Sequence, residues 1–208
     1  MFTGIIESIG QIKSIQSLGD DSAGVRLEVY APTLDFSDVK LGDSIAIQGA
    51  CMTAVEIQDQ TFWVDVSRES LNKTIGLTHT GEVNLEKAMR LSDRVGGHLV
   101  SGHVDGLGEV VDFSQIGESW HLQIRAPQTL ACYFAYKGSV TVNGVSLTVN
   151  QVDDLAGGAC DIHINLIPHT VQMTTLKHLQ AGTPVNLEID QIARYCERIL
   201  KTTNLMGS

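Results

Sequence analysis

Cys51 and Ser146 occupy the same place in two copies of one short turn. Gly49-Ala50-Cys51-Met52-Thr53 is echoed 95 positions later by Gly144-Val145-Ser146-Leu147-Thr148. A thiol in one copy and a hydroxyl in the other are side chains able to add to a substrate or to carry a proton. Other aligned positions are also unlike: Ile5 falls opposite His103, and Leu41 opposite Lys137. Asp65-Val66-Ser67-Arg68-Glu69-Ser70 falls opposite Asn165-Leu166-Ile167-Pro168-His169-Thr170. Positions alike in both copies build the scaffold, whereas positions that differ are free to carry separate tasks. Two chambers of one shape with different linings imply two similar ligands handled differently.

Each of these residues also has a bland reading. A lone cysteine in a strand is most often a small core residue, which is the reading taken for Cys132, Cys160 and Cys196. Cys51 stands apart because it sits in the repeated turn. The pairs His98 with His103 and His163 with His169 raise a metal site. Zinc centres, however, use three or four ligands at tight spacing, usually with a Cys pair or an HExxH motif, and neither occurs. No metal is therefore expected. Gly106-Leu107-Gly108 lacks the third glycine of a dinucleotide fingerprint and leads into the strand-like Glu109-Val110-Val111. Neither a Walker A nor a GxSxG motif is present.

The elements that position these residues come in two sets, because the whole chain repeats. Leu27-Glu28-Val29-Tyr30-Ala31-Pro32 returns at an offset of 95 as Leu122-Gln123-Ile124-Arg125-Ala126-Pro127. Val83-Asn84-Leu85-Glu86 returns unchanged as Val185-Asn186-Leu187-Glu188, at 102, and the stretch from Gly4 to Gly10 aligns with Gly102 to Gly108, at 98. Four landmarks in one order give a first unit over 1–97, a second over 98–189, and a tail over 190–208. Within each unit, Val25, Leu27 and Val29, Ile45 and Ile47, and Val140 and Val142 alternate with polar residues between Gly-, Asp- and Asn-rich turns. That pattern predicts about six short antiparallel strands per unit, closed into a small barrel that leaves no edge exposed. Asp35–Val39 and Leu130–Phe134 sit at matching places and are expected as short helical turns. In the tail, Ile192, Tyr195, Cys196, Ile199 and Leu200 form one apolar stripe of a helix, with Asp190 as its N-cap. That stripe either packs back on its own barrel or meets partner copies. The expected fold is all-β, two similar six-stranded antiparallel Greek-key barrels in tandem plus a C-terminal α-helix.

Composition narrows the function classes. The formal net charge of −10 disfavours a nucleic-acid partner. Met1-Phe2-Thr3-Gly4-Ile5-Ile6-Glu7 has neither the basic region nor the long apolar run of a signal peptide or membrane anchor. Four scattered cysteines with no CxxC pair read as free thiols in a reducing compartment, which the cytoplasm fits.

The same residues resemble the riboflavin synthase family over nearly the whole chain. The resemblance is carried by the opening Met1-Phe2-Thr3-Gly4-Ile5, by Cys51-Met52-Thr53, by Gly96 to Val104 (GGHLVSGHV), and by Asn143 to Val149 (NGVSLTV). Leu166-Ile167-Pro168-His169-Thr170, followed by Thr174-Thr175-Leu176, completes it. It implies a dismutation in which two 6,7-dimethyl-8-ribityllumazine molecules exchange a four-carbon unit. One becomes riboflavin and the other 5-amino-6-ribitylaminouracil, with no cofactor. It also implies a homotrimer held by the C-terminal helices, with the reacting pair where unlike barrels of neighbouring subunits face, and lumazine synthase as a partner protein.

The family's binding positions carry over to Gly4, Ile5, Ile6, Cys51, Met52, Thr53 and Asp65 to Ser70, expected in the first barrel. In the second barrel they fall on Gly102, His103, Val104, Lys137, Ser146, Leu147, Thr148 and Asn165 to Thr170. Ser44, Cys51, His103, Ser146 and Asp190 match the family's candidates for assisting the chemistry. His103, Ser146 and Thr148 suit proton transfer or hydrogen bonding to a ring, and Cys51 suits transient addition to a ring or lining it. The first half departs from the family pattern at Gln48, Ala54 and Asn72 to Leu77. Two rivals remain: a non-catalytic lumazine- or flavin-binding fluorescent protein of the same fold, and the flavin-binding barrel of a reductase. The intact Ser146-Leu147-Thr148 and His103 disfavour the first. The lack of room for a nicotinamide-binding domain disfavours the second.

Overall fold

A computed structural model describes residues 1–20 and 23–203. The first half forms β1 (Ser8–Ser17), β2 (Val25–Tyr30), β3 (Ser44–Ile47), β4 (Ala50–Gln58), β5 (Thr61–Val66), helix α1 (Arg68–Lys73) and β6 (Gly81–Lys87). The second forms β7 (Gly106–Ile116), β8 (Ser119–Ala126), α2 (Gln128–Ala131), β9 (Ser139–Val142), β10 (Val145–Asp154), β11 (Cys160–Leu166), α3 (Pro168–Gln172) and β12 (Pro184–Ile189), and α4 (Gln191–Thr202) follows. Both sheets close into six-stranded barrels, in the order β1-β2-β5-β4-β3-β6 and its equivalent β7-β8-β11-β10-β9-β12, with every pairing antiparallel. The two-barrel, all-β expectation is met.

The alternation seen in the sequence becomes the inside and outside of each barrel. Leu27, Val29, Ile45, Ile47, Phe62 and Val64 fill the first core, and Leu122, Ile124, Val140, Val142, Ile162 and Ile164 fill the second. Register shifts recur at matching places, between Ile12 and Ser14 and between Val110 and Asp112, and again between Ala54 and Glu56 and between Val149 and Gln151. Such bulges add the local bend and twist that let a short sheet close on itself.

The barrels meet along a pseudo-two-fold axis made of the repeated Asn and Gly residues. The Asn84 Nδ2 donates to Asn143 O and the Asn186 Nδ2 to Gln48 O, each at 2.9 Å. Asn84 Oδ1 accepts from Thr175 N and Asn186 Oδ1 from Ile75 N, both at 2.8 Å. Gly49 and Gly144 lie back to back with φ of +88° and +83°. A Cβ on Gly49 would sit 2.7 Å from Gly144 N, so nothing larger than glycine fits there.

Two expectations need correction, and one alternative left open is removed. Asp35–Val39 holds a single turn at Ser37-Asp38, closed by Val39 N donating to Phe36 O, rather than a helix, and in the second half the helix is Gln128–Ala131, slightly earlier than expected. Lys137 corresponds to Gly42, not Leu41: Gly42 N donates to Ala54 O and Lys137 N to Val149 O, which is the same bond in each barrel. Both residues have positive φ, +92° and +62°, so the second barrel keeps a lysine where the backbone favours glycine. The tail helix does not pack its stripe on its own barrel. Asp190 caps it as expected by accepting from Ile192 N at 2.9 Å. Among the described residues, however, the helix buries nothing, and Ile192, Tyr195 and Ile199 are 69%, 66% and 59% exposed. Its contacts to the second barrel are polar instead, from Glu197 to the Tyr133 hydroxyl and from Arg194 to Asp105. Residues 204–208 of the expected tail lie outside the described residues.

Candidate active site

Two short straps exchange places between the barrels. Residues 2–6 precede β1 yet run to the second barrel, where Ser146 N donates to Gly4 O at 2.7 Å and Ile6 packs against the second core. Residues 100–104 precede β7 yet run to the first barrel, where Cys51 N donates to Gly102 O at 2.7 Å and Val104 packs against the first core. The straps touch each other through the antiparallel bridge of Phe2 with Val100. The expected grouping is therefore reversed. Gly4, Ile5 and Ile6 belong with Ser146 in the second barrel, and Gly102, His103 and Val104 belong with Cys51 in the first. Both strap glycines have positive φ, +74° and +76°, and a Cβ on either would strike the repeated turn at 2.6–2.7 Å.

Each strap is pinned by the glutamate of a Val-Asn-Leu-Glu strand. Glu86 accepts from Thr3 N at 2.6 Å, Thr3 Oγ1 at 2.7 Å and Gly4 N at 2.9 Å. Glu188 accepts from the N–H groups of Ser101, Gly102 and His103 at 2.7, 2.9 and 3.0 Å. Burial raises both carboxyl pKa values, and Glu188, further pushed by the nearby Asp105, reaches about 7. The folded protein then holds a proton on Glu188 that the unfolded chain has already lost above its ordinary value of 4.5. Stability contributed at this site is present below about pH 4.5 and declines as pH rises towards about 7. Glu188→Gln is expected to flatten that part of the stability–pH curve. It should cost about 1 kcal/mol at acid pH, because an amide nitrogen replaces one accepting oxygen. Thermal melts between pH 4.5 and 7.5 check this, and an unchanged slope would show that Glu188 does not titrate there.

In the first barrel, a cleft of about 290 Å³ is lined by Ala50, Cys51, Met52, Glu69, Ser70, Lys73, Thr74, Gly102, His103 and Val104. The β4 alternation decides what faces it. Cys51 and Thr53 point outward, while Met52, 6% exposed, points into the core and offers the cleft little beyond backbone. Asp65 and Val66 are likewise turned from it: Arg26 holds Asp65 in a two-pronged ion pair at 2.7 and 2.9 Å, and Val66 is buried. Ser67 caps α1 through Ser70 N at 3.1 Å, Arg68 donates to Ala23 O, and Glu69 pairs with Lys73. Ser44 lines a neighbouring cavity with Asp43 and Lys87, apart from Cys51.

In the second barrel the matching outward positions are Ser146, Thr148 and Asn150, with Leu147 turned into the core. Lys137 Nζ donates to Asn150 Oδ1 at 2.9 Å. Ser146 Oγ lies 2.8 Å from His98 Nδ1, a contact that sequence reasoning missed because His98 was weighed only as a metal ligand. Burial lowers the His98 pKa, the charge of Asp190 opposes that shift, and its buried Nε2 has no partner among the described residues. A neutral ring beside Ser146 is therefore the favoured form. Asn165 and Leu166 end β11, Leu166 pointing inward; Ile167 caps α3, with Pro168, His169 and Thr170 in that helix. Among the described residues no cluster of three or more His, Cys, Asp or Glu side chains could hold a metal. His163 instead bonds His121 and Asp153. All four cysteines are free.

Two like barrels, each completed by a strap from the other half and each with its own outward-facing turn, define a tandem-barrel protein with two related but unlike walls, of which the Cys51 wall opens on the cleft described above. The model of the lumazine binding domain matches residues 3–88 and 101–190, so each copy begins with the strap that the other barrel uses. Riboflavin synthase of Photobacterium phosphoreum is 45% identical, covering 96% of this chain and 89% of its own length. That of Mycobacterium bovis is 41% identical, covering 97% and 99%. The chain belongs to the riboflavin synthase family. A solved structure of LumP complexed with riboflavin shares the fold, with a TM-score of 0.77, 24% identity, and coverage of 91% of this chain and 99% of that one.

Proposed function

We propose that the chain makes riboflavin from two 6,7-dimethyl-8-ribityllumazine molecules by four-carbon transfer, one lumazine seated on each strap-completed cleft. The relatives named above, at 41% and 45% identity over nearly the full length, support this reading. The observation that carries it is the unlike chemistry of two equivalent walls. The second barrel presents Ser146 held by His98, Thr148, and the Lys137 ammonium. The first presents Cys51 at the cleft and Thr53 outward beside it on β4, with Gly42 where the cation would be. A methyl group of one lumazine must lose a proton, leaving an anion delocalised into its ring. Hydroxyls and an ammonium suit that molecule, since they stabilise developing negative charge. The other lumazine must accept attack at a ring carbon, beside Cys51 and His103. Four carbons leave one ring and join the other, so no external oxidant or reductant is consumed. Holding two rigid substrates face to face supplies about 7–11 kcal/mol, more than any single side chain.

Pure protein incubated with the lumazine should develop riboflavin absorbance. Binding without product would instead restore the non-catalytic reading. Cys51→Ala and His103→Ala are each expected to lower turnover about a hundredfold with the fold intact, the lower end of what one acid–base group contributes. Wild-type rates in both, with unchanged circular dichroism, would remove them from the chemistry.

The reacting pair forms between copies. The outward stripe Ile192, Tyr195 and Ile199 on α4 is the surface proposed to hold a homotrimer, since an apolar helix face left in water invites burial. Deleting residues 191–208 should lower the sedimentation mass to that of a monomer, and a full-length monomer would refute the assembly. No helix among the described residues is long and apolar enough to cross a membrane, and the free thiols suit the cytoplasm proposed for it.

A further inference from the structure

The repeat provides an internal control on how the straps are held. At the end of the first strap, Glu7 Oε1 accepts from Lys87 N at 2.8 Å, and the Lys87 ammonium lies 3.9 Å from Glu7 Oε2. At the matching place in the second, Asp105 Oδ2 accepts from Ile189 N at 2.9 Å. The backbone bond is therefore repeated, but Ile189 stands where Lys87 stood and the strand supplies no cation. Helix α4 supplies it instead, through the ion pair of Arg194 with Asp105 Oδ1, while Gln191 of the same helix donates to Ser101 Oγ. Asp105 is only 12% exposed in this pair. The strap is a two-sided wall: His103 and Val104 line the Cys51 cleft on one side and a second cleft, against Gln191, Arg194 and Tyr195, on the other.

We propose that Arg194 is a positioning residue for the first-barrel cleft, acting through Asp105 and the Ser101–Asp105 strap to hold His103 beside Cys51. As regards ligand binding, this rests on the function proposed above. The placement of the strap itself does not. The helix that carries the unpartnered apolar stripe thereby also fixes the wall of one cleft and not of the other.

The test uses the full-length protein with Arg194→Ala, Arg194→Lys and Asp105→Asn, each confirmed to have wild-type sedimentation and circular dichroism. The first readout needs no ligand: the rate of Cys51 alkylation by iodoacetamide, resolved by peptide mass, with buried Cys160 as reference. Loss of the pair should raise Cys51 reactivity about fivefold, the upper range for a partly exposed ion pair, and Arg194→Lys should restore much of the protection. The second readout is fluorescence titration with riboflavin. Of the two site classes, one should weaken about fivefold and the other stay unchanged, and Arg194→Ala should add nothing on top of His103→Ala. Unchanged Cys51 reactivity, or equal weakening of both classes, overturns the proposal. Altered Cys51 reactivity in a protein that binds neither riboflavin nor the lumazine leaves the positioning role standing and removes the proposed function.

Discussion

Residues 1–97 expressed alone are expected to make no riboflavin at all. The fragment closes its own barrel, since β1 to β6 lie within it, but it lacks the Gly102–Val104 strap that completes the Cys51 cleft. Its own residues 2–6 would at the same time lose the Ser146 turn they were shaped to meet. The two straps are equivalent in the repeat and are pinned in the same way, by Glu86 and by Glu188. Two fragment copies can therefore each lend the other Gly4–Ile6 in place of Gly102–Val104. The expected result is a dimer that binds riboflavin or the lumazine, seen as quenched fluorescence, with binding lost on dilution to monomer. Turnover stays absent because Lys137, Ser146 and Thr148 are missing. Riboflavin production near the full-length rate would refute the two unlike clefts, and tight binding by a strictly monomeric fragment would refute the need for a lent strap.

Gly144→Val is expected to cost about 2–6 kcal/mol and to abolish turnover. A Cβ there would lie 2.9 Å from Gly49 N and 3.0 Å from Gly49 Cα, which are backbone atoms with no freedom to swing aside. The φ of +83° adds about 1–3 kcal/mol of strain for a branched side chain, and forcing the barrels apart adds about 1–3 kcal/mol more. The same displacement pulls Asn84 and Asn186 from their partners across the axis and slides both straps off their turns. Urea denaturation and the riboflavin assay measure the two effects. Gly117→Ala is the control: it has φ of +61° but open space around its Cβ, so it should lose only the conformational part. Equal losses in the two variants would mean that the Gly49–Gly144 contact is not what excludes a side chain.

The barrels were legible because their information is local. Period-2 alternation, repeated turns and the doubled motifs fix which residues face inward, and the structure follows them strand by strand. The straps were not legible, because alignment of a repeat shows which residues correspond and not which copy they touch. Gly4 aligns with Gly102, and the natural assumption is that each serves its own barrel. The signal lay in Glu86 and Glu188, acidic residues that close each Val-Asn-Leu-Glu run and lie buried, and so must find donors somewhere. Lys137 was paired with the wrong residue because Gly42 and Leu41 differ by a single step, and only the hydrogen bond to the neighbouring strand settles the register. The helix stripe was read correctly as a stripe, but its direction depends on polar contacts from Glu197 and Arg194 that no hydrophobic period encodes.

The exchanged straps also set an order of events on the ribosome. The first barrel can close once Lys87 has emerged, because its six strands all lie within residues 8–87. Its cleft must wait until Val104 appears, and the strap at the extreme N-terminus waits longer, until the Ser146 turn is synthesised. During that interval residues 2–6 can dock on Glu86 but have no second surface to cover. Late pairings between distant segments are slow and leave intermediates open to the wrong partner, here the strap of another nascent chain. A chain of this design therefore gains most from being made as one continuous polypeptide, where the correct strap is always the nearest one.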